Sequence, residues 1–216
     1  MNVDKLLRQF MRWTVILLTL TVAPLCACGA KMPPVAAKPE QVAAHLRKKN
    51  ARPTPYTIVI DSKTQTLTLL RQKNVEKVYT ISTSKRGLGQ KVDSYQTPLG
   101  LHQVVEKIGH DVPVNGIFHR RQYTGTVFKT PRPKHHLKDY IVTRVIRLKG
   151  LERGVNAGYD RRGRLVDSEQ RAIYIHGTTM EWQLGKPNTK GCIHMRNKDV
   201  VDLFNRIPQG TLVMVV

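Results

Sequence analysis

The chain has few cysteines, few acidic residues and no apolar run long enough to be a stable membrane-spanning helix. Only three of its 216 residues are cysteine, and 15 are acidic against 36 basic ones, which gives a net charge of +21. Its longest apolar run, at residues 13–25, is shorter than the ~20 residues that cross a bilayer core of ~30 Å. These shortages argue against a zinc finger and against a permanent spanning helix.

The first 27 residues nevertheless have the pattern of a secretory signal peptide, because three basic residues precede the apolar run. The sequence Leu-Cys-Ala-Cys-Gly follows at residues 25–29 and resembles the lipobox of bacterial lipoproteins. This resemblance implies that Cys28 becomes the lipidated first residue of an exported, periplasmic protein. Ordinary signal-peptide cleavage in this region is the alternative. Gly29, in place of an aspartate, favours the outer membrane over the inner membrane for the lipid anchor.

The charge balance of the chain narrows the classes of partner that it could bind. Removal of residues 1–27 takes away three basic residues and one acid, which lowers the net charge by two to +19. A strongly basic protein is steered towards anionic surroundings. Export and the lack of a zinc-finger, RNA-binding or zipper pattern indicate no nucleic-acid partner. Membrane headgroups and the carboxylate-bearing peptides of the cell wall are the candidates, and a generally basic surface without a specific partner is the alternative.

Composition divides the exported part into a tether and a domain. Residues 28–55 are rich in alanine, lysine and proline and predict a flexible, lipid-anchored tether. A short helix over Glu40 to Lys48 is compatible with this segment, but it has too little apolar surface to pack alone. Residues 56–216 are enough for one core and are typical of one domain.

Within that domain the apolar pattern is mostly that of short strands, which favours a mainly β sandwich or barrel-like sheet. One helix is predicted after Asn197, the expected N-cap, because four apolar residues share a face at helical spacing. Strands are predicted at residues 56–60, 66–70, 78–82, 141–148, 172–175 and 211–216.

Residues 109–138 fit neither a helical nor a strand period. A loop of this length is usually functional or disordered, and we interpret it as a lid over a binding cleft. It contains four histidines, but no His-Glu-x-x-His or paired-cysteine spacing accompanies them. The sequence therefore predicts no metal site.

The most informative residues are His176 and Cys192, which lie sixteen positions apart on either side of a turn. A free thiol has a pKa near ~8.5 and needs a base or a positive charge to react at neutral pH. His176 is the candidate base, while Lys190 and Arg196 are candidate sources of charge. Gly191 would let the backbone approach a developing oxyanion. The alternative is an inert buried cysteine beside a hydrogen-bonded histidine at a strand end.

Two segments around these residues, 175–178 and 189–197, resemble the signature of the YkuD-type L,D-transpeptidase catalytic domain. Thr-Pro-Leu-Gly at residues 97–100 resembles a further segment of that family. The resemblance implies a mixed β-sandwich with a short helix after the nucleophile and a lid loop. It also implies that Cys192 is the nucleophile, that His176 is the general base and acid, and that the Gly177 carbonyl fixes the imidazole.

The activity that the resemblance implies is acyl transfer on peptidoglycan stem peptides through an acyl-enzyme, in crosslinking or remodelling of the cell wall. Water as the acceptor would make the same site a hydrolase. A wall-binding lipoprotein that keeps the fold without catalysis is a further alternative. A monomer without cofactor or metal is expected.

Departures from the family signature concern substrate contacts. The family usually has serine and histidine where this chain has Thr189 and Lys190, and an arginine is common at the position of His194. Together with Thr178 and Gly191, these residues are expected to bind substrate or the oxyanion. Lys190 would lower the thiol pKa or remain solvated, and His194 would bind a carboxylate when protonated or form a neutral hydrogen bond.

Overall fold

The computed structural model describes residues 39–48, 51, 54–129 and 138–216. The predicted signal peptide and Cys28 lie outside these residues. No helix in the described ranges is long and apolar enough to cross a membrane. The described elements include a short 3-10 helix at Glu181–Gln183, two α-helices, and ten strands, in the order α1 (Pro39–Lys48), β1 (Tyr56–Asp61), β2 (Thr66–Arg71), β3 (Asn74–Ser82), β4 (Gly100–Ile108), β5 (Gly116–His119), β6 (Gln122–Val127), β7 (Ile141–Gly150), β8 (Tyr174–Thr178), β9 (Ile193–Met195), α2 (Asn197–Arg206) and β10 (Leu212–Val215).

The ten strands form one mixed sheet that closes on itself. Their order is β4-β10-β1-β2-β3-β9-β8-β7-β5-β6, and a further pairing of β4 with β7 completes the circuit. Strands β1 and β10 are parallel, as are β8 and β9, whereas the other neighbours are antiparallel. The inner faces of both halves share one core, as sandwich layers do. The predicted mainly β, mixed sandwich is confirmed.

Helix α2 fills the core of this sandwich as its apolar spacing predicts. Its buried side chains include Val200, Leu203 and Phe204, and they pack with inward residues of the strands. The helix begins one residue earlier than expected, because the N-cap residue is Arg196 and not Asn197. The Asn197 side chain makes no capping hydrogen bond. The Asn197 amide instead faces inward, where Thr143 donates to its oxygen at 2.7 Å.

Helix α1 lies where the sequence allowed a short helix inside the predicted tether. Val42 is buried against Val59 and Leu70 on the outer face of β1 and β2. These two strands are therefore covered on both faces, which explains why four consecutive residues of β1 are buried. Helix α1, which lies within the predicted tether, therefore packs on the sheet. Val42 can be buried there because the sheet already presents an apolar surface.

Strand β8 begins later and runs further than the sequence indicated. The expected strand was residues 172–175, with His176 at its end, whereas β8 spans Tyr174–Thr178 and is buried throughout. Ala172 has a left-handed φ of 55°, which delays the start of the strand. Pairing with β7 on one edge and β9 on the other keeps the strand extended through His176.

The predicted lid segment contains a hairpin rather than a structureless loop. Strands β5 and β6 pair with each other, and β5 also pairs with β7. The turn residues Arg120 and Arg121 have φ values of 47° and 71°. Every residue of β6 is exposed, so no apolar alternation marks it in the sequence. Residues 130–137 of the segment lie outside the described residues.

Buried His102 predicts a loss of stability in acid. Its ring bonds Gly100 O at 2.9 Å and Ser168 Oγ at 3.0 Å, and burial lowers its pKa to about 4. An unfolded histidine has a pKa near ~6.5, so the unfolded state binds more protons between these values and stability is lost as the pH falls. This residue alone should remove about 3 kcal/mol of unfolding free energy between pH 6.5 and 4.

Urea unfolding across this pH range tests the expectation. His102→Gln should flatten the dependence, whereas His110→Gln, on a side chain that is 80% exposed, should leave it as in the wild type. Equal slopes for the wild type and His102→Gln would contradict it.

Candidate active site

The two parallel strands β8 and β9 bring Cys192 and His176 to one cavity. His176 lies opposite His194 in the register, and Cys192 is two residues before His194. Side chains two residues apart share a face, and neighbouring strands lie about 4.8 Å apart, so all three project from the same side of the sheet. Together they line a cavity of about 360 Å³.

His176 is held in the tautomer that a base requires. Its side chain is buried, and Nδ1 lies 2.8 Å from Gly177 O. Because a carbonyl oxygen only accepts, Nδ1 carries the proton and Nε2 keeps its lone pair. Burial lowers the pKa of His176, against the opposing effects of the Gly177 bond and Asp139. The imidazole is therefore neutral and ready to accept a proton at neutral pH.

Gly177 is required for packing as well as for its carbonyl. A Cβ at this position would lie 2.3 Å from Asn197 Oδ1 and 2.7 Å from Val142 O. Neither contact is sterically possible without moving the helix start or strand β7. The glycine thus allows α2 and β7 to close on β8 while its own carbonyl fixes His176.

The Cys192 thiol is protonated in the resting site. It is half-buried, with Sγ 3.5 Å from Ala172 O, and it packs beside Phe118 and Tyr174. Burial raises the pKa of Cys192 to about 11, although the Tyr174 backbone bond and Arg171 oppose the rise. At neutral pH the thiol must therefore lose its proton to a base as it attacks, and His176 faces the same cavity.

A hydrogen-bonded turn positions Cys192. Thr97 donates to Gly191 O at 3.0 Å, Thr189 donates to Cys192 O at 2.6 Å, and Gly191 N donates to Thr189 Oγ1 at 3.2 Å. Gly191 has a φ of 120°, which disfavours any residue with a Cβ. Thr189 and Gly191 are both buried, and their hydrogen bonds hold the turn in its conformation. The Gly191 amide that the sequence offered to an oxyanion is already engaged by Thr189.

His194 lies against the His176 imidazole. The two ring centroids are 4.6 Å apart, and His194 Nε2 is 3.6 Å from Asp139 Oδ2. Burial, followed by the neighbouring His176, lowers the pKa of His194 well below its usual value. A neutral His194 is thus favoured over the protonated carboxylate partner that the sequence also allowed.

Thr178 supports Asp139 rather than lining the cavity. Its hydroxyl donates to Asp139 Oδ1 at 2.7 Å, which fixes the carboxylate beside His194. Lys190, by contrast, is exposed and lines the cavity, as do Lys85 and Tyr140. Of the five predicted substrate-binding residues, Lys190 and His194 line this cavity. Thr178, Thr189 and Gly191 do not line it, and they form hydrogen bonds that hold its surroundings in place.

Two charged residues of the site were not predicted. Arg171 reaches Gly89 O, Gln90 O and Gln96 O at 3.1, 2.8 and 2.6 Å, and it lowers the pKa of Cys192. Asp139 follows the histidine-rich segment and carries no motif of its own. No local signal identifies either residue, because their neighbours in the fold lie far away in the sequence.

Asp139→Asn is expected to lower the pKa of the Cys192 thiol. The Asp139 carboxylate raises that pKa, and removal of a negative charge favours the thiolate. The pH profile of Cys192 alkylation by iodoacetamide, followed by peptide mass spectrometry, should therefore move to lower pH.

Thr178→Val is the matched control for this variant, because it removes the hydrogen bond to Asp139 and keeps the charge. Its profile should stay closer to that of the wild type. An unchanged or upward shift in Asp139→Asn would contradict the assignment.

Comparison with known proteins identifies the family of the chain. The model of the YkuD L,D-transpeptidase catalytic domain family matches residues 55–215. YqjB of Bacillus subtilis (strain 168), whose name assigns it to the L,D-transpeptidases, is 27% identical over 161 residues, which cover 74% of this chain and 70% of YqjB. ErfK/SrfK of Escherichia coli (strain K12), which carries the same family name, is 30% identical over 122 residues, covering 55% of this chain and 36% of that protein.

Among solved structures, an L,D-transpeptidase from Mycobacterium smegmatis is similar with a TM-score of 0.46 and 13% identity, over 75% of this chain and 58% of that one. The chain thus spans little more than half of that protein. The family model, in contrast, covers well over half of the present sequence, including all ten strands and both site motifs. The chain belongs to the YkuD family of L,D-transpeptidase catalytic domains.

Proposed function

We propose that this chain is a cysteine-dependent L,D-transpeptidase that acts on peptidoglycan stem peptides through an acyl-enzyme. The observation that carries the proposal is the shared cavity of Cys192 and His176, in which the Gly177 carbonyl fixes the imidazole tautomer. Family membership supports the substrate class. The basic charge of the chain favours the carboxylate-bearing peptides of the wall.

The first half-reaction forms a thioester. Cys192 Sγ attacks the carbonyl carbon of the scissile amide while its proton passes to His176 Nε2. As the tetrahedral intermediate collapses, the carbon–nitrogen bond breaks and the imidazolium gives that proton to the departing amine. Because the thiol has a raised pKa and His176 a lowered one, a standing ion pair is disfavoured, and the proton moves in concert with attack.

The second half-reaction releases the acyl group. An acceptor amine attacks the thioester carbonyl, His176 takes the proton of the amine, and the thiol is restored when the carbon–sulfur bond breaks and the proton returns to sulfur. Water in place of the amine gives hydrolysis by the same steps. The acceptor therefore decides between a transferase and a hydrolase, and the nucleophile is the same for both.

The assay that tests the proposed function uses purified protein and tetrapeptide muropeptides, with products identified by mass spectrometry. Joined stems support the transpeptidase, whereas products that are only shortened identify a hydrolase. If neither forms and a carbapenem leaves Cys192 unmodified while the protein still binds cell walls, a non-catalytic wall-binding role replaces the proposal.

We further propose that the protein is exported and anchored through a lipid on Cys28, with the outer membrane favoured over the inner membrane. The basic start, apolar run and lipobox-like sequence support this. In cells fed a radiolabelled or alkyne-tagged fatty acid, the wild type should acquire the label and Cys28→Ala should not. Cys26→Ala is the matched control and should still be labelled; a labelled Cys28→Ala protein would contradict the proposal.

A further inference from the structure

A second cavity lies near the one that contains Cys192. Its volume is about 560 Å³, against about 360 Å³ for the cavity with the thiol. Thr178 and Thr179 line the second cavity, while their neighbours His176 and Met180 line the first. Asp139, which lines the first cavity, accepts a hydrogen bond from Thr178, which lines the second. A ligand in the second cavity would thus lie next to the catalytic site.

The lining of the second cavity includes exposed aromatic and apolar side chains. Trp182, on the 3-10 helix, is 51% exposed, and Val114 is 50% exposed. Phe128 adds a second ring to the lining. Exposed apolar side chains grouped in a concavity mark binding sites more often than isolated ones do. The indole offers a flat face together with a ring N–H donor.

The lining of this cavity also supplies neutral hydrogen-bonding groups. Asn115 has a φ of 66° and accepts from Asn197 Nδ2 at 3.0 Å through its side-chain oxygen. That bond leaves the amide NH₂ group of Asn115 as a donor at the cavity. Asn197 Nδ2 donates to Asn115 and to the Thr178 carbonyl, and its oxygen accepts from Thr143, so the Asn197 amide has no N–H left for a ligand. Arg196 adds a planar guanidinium at the rim.

The charges of the lining are mixed. Glu181 lines the cavity, and its carboxylate accepts the Asn197 backbone N–H at 2.6 Å, which occupies the start of helix α2. Arg196 and Lys198 add two positive charges, and Arg196 is paired with Asp199 at 3.7 Å. A ligand of either charge would therefore meet a like charge in the lining. A neutral ligand that has an apolar face and many hydroxyl or amide groups avoids this repulsion and can use the indole and the amide.

We propose that this second cavity binds an N-acetylated amino-sugar unit of a glycan strand. The apolar face of the sugar ring stacks on Trp182, while hydroxyl and acetamido groups bond the Asn115 amide and Arg196. The inference rests on the proposed function in one respect: a sugar bound here would hold the glycan to which a stem peptide is attached beside Cys192. It assigns Trp182 and Asn115 to substrate recognition and gives them no part in the chemistry.

Binding can be measured apart from catalysis. Trp13 and Trp182 are the only tryptophans of the chain, so Trp13→Phe makes its tryptophan fluorescence a report on Trp182 alone. With Cys192→Ala added, titration with a β-1,4-linked tetramer of N-acetylglucosamine should give a saturable change in emission. The affinity should stay within about twofold when salt rises from roughly 50 to 500 mM, because the ligand is neutral.

Three results would overturn the proposal: no change at millimolar tetramer, a change that weakens steeply with salt, or an equal change with the free stem tetrapeptide. The last two would assign the cavity to an anionic or peptide ligand. Since the protein in this titration lacks Cys192, the result tests saccharide binding independently of the proposed acyl transfer.

Paired variants locate the ligand. By calorimetry, Trp182→Leu should weaken binding of the tetramer roughly 3- to 10-fold, the value of one aromatic contact. Tyr159→Leu is the matched control, because Tyr159 is 62% exposed and lines neither cavity.

In turnover assays Trp182→Leu should raise KM for a disaccharide-linked tetrapeptide and leave its kcat unchanged. Both constants for the free tetrapeptide should stay as in the wild type. Equal effects on both donors would contradict the assignment.

Discussion

Cys192→Ser is expected to lower the rate of acyl transfer at least about a thousandfold. A serine hydroxyl is a far weaker acid than a thiol, and the cavity does not compensate for the difference. Burial already raises the pKa of the thiol to about 11 and lowers that of His176, so the base that would activate serine is weak. The initial rate of formation of joined muropeptides measures the loss.

The fold should survive this substitution, which makes the result interpretable. Serine keeps the size and position of the side chain, and the turn around it is held by Thr97 and Thr189 through backbone carbonyls. The midpoint of urea unfolding should therefore stay near that of the wild type. Activity retained within tenfold in a folded Cys192→Ser protein would show that sulfur is not the attacking atom.

His176→Gln is expected to lower transfer by roughly 10²- to 10⁴-fold, the usual contribution of a positioned base. The loss should diminish as the pH rises. Without the imidazole, attack depends on the fraction of thiol that ionises spontaneously, and this fraction increases about tenfold per pH unit until the pKa of about 11 is approached. The proposed route through His176 needs no such ionisation near neutral pH.

His194→Gln is the matched control for the base, because both histidines are buried and line the same cavity. Its rate should change by less than about tenfold, since His194 has a neighbour in Asp139 but no bond that fixes a basic nitrogen towards Cys192. A larger loss in His194→Gln than in His176→Gln would reverse the assignment of the two imidazoles.

Much of the site follows from the sequence because its parts are local. The strand before Gly177 and the turn before the helix are each marked by a short pattern, and their sixteen-residue spacing fits two adjacent parallel strands. Helix α2 was predicted because its core face depends on its own periodicity. Strands β1 and β2 were predicted because a short polar turn joins them in a hairpin.

The remainder depends on partners distant in the sequence. Strand β9 has three residues, too few to show a period, and exists because β3 and β8 flank it. Hairpin β5–β6 has an exposed second strand and hence no apolar alternation. Asp139 and Arg171 reach the site across the sheet, so their effects on the pKa values of Cys192 and His176 could be seen only after folding.

The second cavity shows the same limit. Trp182 lies between the two motifs, in a stretch that has no pattern of its own to mark a binding site. The structure gives it half exposure in a cavity near the one that contains Cys192. Thr178 and Thr179 line one cavity, whereas His176 and Met180 line the other, and no spacing along the chain reports that division.

Intact-protein mass spectrometry after brief mixing with a tetrapeptide muropeptide is the most direct measurement, with the modified residue located by proteolysis. A covalent adduct equal to the donor minus its terminal residue should be found on Cys192 and be absent from Cys192→Ala. Turnover without any adduct on Cys192, or an adduct that persists in Cys192→Ala, would contradict the thioester route.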